Sequence, residues 1–123
     1  MNKNMVYFGL VVVAVVLYLV FSGSNPYKKA VDHLELAYLN AYSGQQGYSV
    51  RCQYKEVDGR HWVLCTSTPA KNAGLWQVTG TDGQFEYLAS NGKALTAMER
   101  FKGSEFRRNP DSSQISATLA AFN

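Results

Sequence analysis

Residues 5 to 21 read MVYFGLVVVAVVLYLVF, 17 consecutive residues without Asp, Glu, Lys or Arg, and no other stretch so narrows what the chain can become. Its valines (Val6, Val11, Val12, Val13, Val15, Val16, Val20) would suit a buried strand in water, but a strand this long would alternate. As a helix rising ~1.5 Å per residue the run extends roughly 26 Å, just short of the ~30 Å hydrocarbon core of a bilayer. Asn4 and Ser22 lengthen it at the interfaces, and Tyr7, Phe8, Tyr18 and Phe21 stand where interfacial aromatic belts form. The pattern predicts residues 1–4 as a cytoplasmic amino terminus, 5–22 as a transmembrane signal anchor, 23–26 as a short break, and 27–123 as one extracytoplasmic domain. Membrane lipid is then the first partner, contacted through residues 5–22. The alternative is a secretory leader cleaved after Ser24, against which stands an apolar region longer than the usual ~7 to 15 residues.

Charge does not orient this segment, since Lys3 precedes it and Lys28 and Lys29 follow. The cysteines do. Tyr48–Val57 and Arg60–Thr66 are alternating runs joined by Asp58-Gly59, a two-residue hairpin turn that needs positive φ. Pairing Val57 with Arg60 and counting outward sets Cys52 opposite Cys65 at a non-hydrogen-bonded position, where Cα atoms approach to ~4.5 Å and a disulfide fits. The spacing with His33 and His61 matches no zinc pattern, so no metal site is expected. A disulfide places the domain in an oxidising compartment, periplasmic or extracellular, with the anchor in the cell inner membrane.

The same register makes Tyr48, Val50, Cys52, Tyr54, Val63 and Cys65 the core face. Trp62 and Leu64 then fall on the other face among Arg51, Gln53 and Lys55, to be covered by the carboxy-terminal segment or offered to a partner. Before the hairpin, Asn25 and Pro26 start an amphipathic helix reaching about Tyr42. Tyr27, Val31, Leu34, Tyr38 and Ala41 form its apolar stripe, Leu36 and Leu39 widen it, and Gly44 is the expected left-handed stop. Beyond the hairpin, Pro69–Gly74 reads as a loop, Leu75–Thr79 and Gln84–Ala89 as two more strands, Lys93–Phe101 as a helix, and Gly103–Ser113 as a polar, basic loop. Ile115, Leu119 and Phe122 make a final helical stripe. The expected fold class is α+β: an amphipathic helix on a roughly four-stranded antiparallel sheet, with carboxy-terminal helical segments.

Apolar run, proline break, amphipathic continuation and disulfide-containing sheet together resemble type IV pilins in outline. The resemblance implies a filament subunit. However, Met1–Tyr7 contains neither the pilin processing site before a mature phenylalanine nor the glutamate that follows it, so the assembly function does not carry over.

Chemistry is constrained mainly by exclusion. Twelve basic and nine acidic residues give a net charge of only +3 with the signs interspersed, so nucleic acid is not an expected partner. No nucleophile elbow, zinc motif or phosphate-binding glycine loop occurs, so neither catalytic residues nor a cofactor are expected. Asp32, His33 and Glu35 fan to different sides of their helix. What remains is a non-enzymatic, membrane-anchored accessory or scaffold subunit of a bacterial-type envelope assembly. Its candidate partner-binding residues are Trp62, Leu64, Arg51, Ile115, Leu119 and Phe122. A pilin-like subunit and a cleaved, secreted ligand-binding domain are the alternatives.

Overall fold

The computed structural model describes residues 25–111 and 113–122. The predicted anchor at 5–22 and the cytoplasmic segment 1–4 lie outside them. Among the described residues no helix is long and apolar enough to cross a membrane.

Helix α1 spans Tyr27–Ala41. Asn25 starts it as its side chain predicts, the Tyr27 amide donating to Asn25 Oδ1 at 2.9 Å, while Pro26 takes a helical φ of −62°. Ala30, Leu34 and Tyr38, spaced by four, are its buried face. Leu36 and Leu39 do not join that face and remain exposed, because their positions on the helix project away from the side that carries Ala30, Leu34 and Tyr38. Gly47, not Gly44, takes the left-handed conformation in the connection that follows.

Strands β1 (Ser49–Val57) and β2 (Arg60–Thr68) form the expected hairpin. Asp58 and Gly59 both have positive φ, 51° and 78°, which gives the turn the right-handed twist of its strands. Register is as counted from the turn, with Val57 opposite Arg60 and Cys52 opposite Cys65. The Cα atoms of the cysteines are 4.0 Å apart and their sulfurs are bonded.

Strand β3 (Asn72–Thr79) starts inside the stretch expected to be loop, and β4 (Glu86–Ala89) is shorter than its alternation suggests. Helix α2 (Gly92–Met98) follows, then β5 (Phe106–Arg108) and helix α3 (Ile115–Ala121). Strand order is β1-β2-β3-β4-β5, antiparallel except for β5, which runs parallel to β4. The described chain is therefore a small α+β domain with a mixed five-stranded sheet and three helices, not a four-stranded antiparallel one. Parallel neighbours need a crossover, and α2 supplies it. β5 draws its pairing from segments read as polar loop: Tyr87 N donates to Glu105 O, and Asn109 N to Ala89 O.

Two apolar layers result. Beneath α1 and α2, Leu34, Tyr38, the disulfide, Val63, Trp76, Val78, Tyr87 and Ala94 form one continuous core. On the opposite face Trp62, Leu75 and Leu88 are buried outside that cluster. The carboxy-terminal segment reaches this face. Lys55 Nζ donates to Ala121 O at 2.5 Å, Asn109 Nδ2 donates to Gln77 Oε1 at 3.0 Å, and Thr118 of α3 is fully buried. Both faces being covered explains why β3 and β4 do not alternate cleanly.

Candidate functional site

The residues singled out from the sequence separate in space. Trp62 has 0% of its surface exposed, covered by the chain itself, so its indole is not part of the surface of the folded domain. Leu64 is half-buried beside it, whereas Arg51 is exposed on β1. Ile115, Leu119 and Phe122 are each half-buried, and the residue of α3 that seats deepest is Thr118. Helical spacing alone did not single out Thr118, because a threonine carries no hydropathic signal.

The outward face of α1 carries the exposed apolar surface instead. Leu36 and Leu39 are 56% and 45% exposed, the large hydrophobic side chains most open to solvent among the described residues. Next to them, Ala37, Asn40 and Ala41 form one wall of an open groove of ≈240 Å³. Phe101 floors its far side, and Arg100 and Lys102 stand on the rim. Arg100 lies over the Tyr42 ring, 4.9 Å from its centroid, which holds one of these cations in place. An apolar strip edged by two cations with no carboxylate in the groove is complementary to an apolar segment with acidic neighbours.

Titratable groups meet elsewhere. On α1, His33 stacks against Tyr87 and Phe106 at 5.1 and 5.7 Å, with its Nε2 3.8 Å from Glu105. One turn away Lys29 pairs with Asp82 at 3.2 Å. Burial, aided by the Glu105 charge, pushes the Tyr87 phenol up to about 12, so it stays protonated at neutral pH. Glu35 points away from this cluster and accepts the Cys52 amide at 2.9 Å, an edge-strand N–H left unpaired by the non-hydrogen-bonded position of Cys52. Asp32, His33 and Glu35 thus diverge, as their spacing requires. His61 stacks on Tyr27 at 4.1 Å and hydrogen-bonds the Tyr54 hydroxyl through Nδ1 at 2.8 Å. Each histidine has a packing role, and among the described residues the one hydroxyl hydrogen-bonded to a histidine is that of Tyr54. Among the described residues no group of three or more His, Cys, Asp or Glu is placed to hold a metal ion.

The fold defines a small α+β domain whose two exposed large hydrophobic side chains among the described residues, Leu36 and Leu39, both stand on α1. The chain matches no protein-family model, no curated protein and no solved structure.

Proposed function

We propose that the protein is a non-enzymatic, single-pass accessory or scaffold subunit of a bacterial-type envelope assembly. Residues 5–22 anchor it in the inner membrane, and the domain from residue 27 onward lies outside the cytoplasm and grips a partner protein. The observation that carries the docking surface is the exposure of Leu36 and Leu39 on α1 beside the groove of Ala37, Ala41 and Phe101. Two leucines in water one turn apart make a small apolar patch that a partner helix would bury. Arg100 and Lys102 on the rim favour a partner segment with acidic residues flanking its apolar ones. The disulfide supports an oxidising compartment, and the break at residues 23–26 is so short that the docking helix stays near the membrane surface.

The test is affinity purification of the full-length protein from its native membrane in mild detergent, followed by mass spectrometry. A stoichiometric set of envelope proteins is expected, reduced about tenfold in the double variant Leu36→Gln/Leu39→Gln. The variant's Tm should stay within about 2 °C of the parent's, because both side chains are exposed. Recovery of the protein alone, or a variant that retains every partner, would sink the proposal. Intact mass on the same preparation decides between an anchor and a cleaved leader, since removal of residues 1–24 would make the protein a secreted ligand-binding domain.

A further inference from the structure

On the side of the core where α1 ends, the chain forms a partly open cavity of ≈140 Å³. Its aromatic wall is three tyrosines in series, with ring centroids 6.4 Å apart for Tyr38 and Tyr42 and 5.0 Å for Tyr42 and Tyr48. Ser67 and Asn72 contribute polar atoms, Lys93 is the one charged residue lining the space, and no carboxylate does.

The hydroxyls here are underused. Tyr38 Oη accepts the Trp76 indole N–H at 2.9 Å, which leaves its own proton to donate. The Tyr48 hydroxyl is buried and has no hydrogen-bond partner among the described residues. Ser67 stands near enough to favour the ionised form of Tyr48 slightly, against the larger opposing effect of burial. That contact falls short of hydrogen-bond geometry, and Ser67 Oγ directs its proton to the carbonyls of Ala70 and Asn72, each a distant 3.4 Å. Burial raises both the Tyr38 and Tyr48 pKa values, so both groups remain protonated donors. Gly74 is what allows the inner phenol to sit there, since a Cβ at that position would come within 2.4 Å of Tyr38 Oη.

A buried hydroxyl left without a partner is costly, and proteins retain such groups mainly where something else satisfies them. We propose that this cavity binds a small monocarboxylate, the anion bridging the Tyr38 and Tyr48 hydroxyls and the Lys93 ammonium, with its apolar substituent against the rings of Tyr42 and Tyr48. A carboxylate presents two oxygens for two phenols and a single charge for a single lysine. The group could be carried by a free organic acid or by the end of a peptide chain. The cavity lining includes neither Leu36 nor Leu39.

The test is an NMR titration of the full-length, isotope-labelled protein in detergent with sodium propionate, with N-acetyl-alanine, and with neutral propionamide. Saturable shifts of the Gly74 and Lys93 amides are expected with at least one of the two acids, with Kd of roughly 1–10 mM for so few atoms. Propionamide should produce none. Response to propionate alone assigns a free acid, and equal or tighter binding of N-acetyl-alanine assigns a chain end. Tyr48→Phe and Lys93→Gln should each weaken binding about tenfold. Neither is expected to unfold the protein, because one removes a hydroxyl without a partner and the other an exposed side chain. Linear shifts with both acids, equal response to propionamide, or unchanged affinity in Tyr48→Phe would overturn the proposal.

Discussion

Trp62 shows how much a single residue's meaning depends on what lies above it. Strand alternation places its side chain opposite the cysteines, and there the structure keeps it, but α3 and the segment before it close over that face. Truncation would therefore leave a cavity, not a bare surface. Trp62→Ala is expected to cost ~3–5 kcal/mol and lower Tm by about 10 °C or more, measured by thermal or urea melts of the full-length protein. An unchanged melt would place the indole at the surface and restore it as a partner contact. The burial is imperfect, since Trp62 Nε1, Gln114 Oε1 and Thr118 Oγ1 have no hydrogen-bond partners among the described residues. That makes the layer under α3 the less satisfied of the two.

At the scale of elements, Asn91 joins two of them. Its Oδ1 accepts the Ala94 amide, capping α2, and also the Leu75 amide of β3, each at 3.0 Å. Its Nδ2 donates to Ala73 O at 2.9 Å. Asn91→Ala is expected to cost ~2–4 kcal/mol, the sum of a lost cap and two lost tertiary bonds, with faster amide exchange at Leu75 and Ala94. Asn91→Asp, which keeps the acceptor and loses the donor, should cost less. A loss of only a few tenths of a kcal/mol in the alanine variant would show that Asn91 is an ordinary turn residue. From the sequence, Asn91-Gly92 is ambiguous between a hairpin turn and a helix start. The side-chain bonds to β3 resolve it, and those depend on a strand that does not reveal its full extent in its own residues. β5 is equally hidden. Phe-Arg-Arg has no alternation to read, and it becomes a strand because Phe106 packs on Tyr87 and Phe101 while the backbone finds the open edge of β4.

Across the whole molecule, the Arg60–Asp111 pair ties the tip of the first hairpin to the segment that leads into α3, over 51 residues. Hydrogen bonds from the Ser113 side chain and backbone, then from Arg60, hold the Asp111 carboxyl down to about 2. An unfolded aspartate titrates near ~3.9, so the unfolded chain binds more protons between those values. The stabilisation is present above pH ~4 and is lost as pH falls through about 2. The carboxyl is exposed, so the effect is small. Asp111→Asn should flatten the stability-versus-pH curve between pH ~4 and ~2 and leave its neutral region otherwise parallel to the parent's. Coincident acid limbs in the two proteins would show that the pair does not couple these distant segments.

Where the relevant contacts are near in sequence, the residues alone determined the outcome. Asn25 and Pro26 start α1, Asp58-Gly59 sets the hairpin register, and that register puts Cys52 against Cys65, because turn conformation and strand alternation are properties of a few neighbouring residues. The residues also determined which face of β1 and β2 is the core under α1. Only the tertiary structure decided that Trp62 is interior, that a fifth strand adds parallel to β4, that Leu36 and Leu39 remain in solvent, and that three tyrosines and a lysine enclose one cavity. Each of these depends on which distant segment arrives to cover or pair with a surface. Hydropathy and spacing describe a surface, whereas the long-range packing of the whole chain chooses its neighbour.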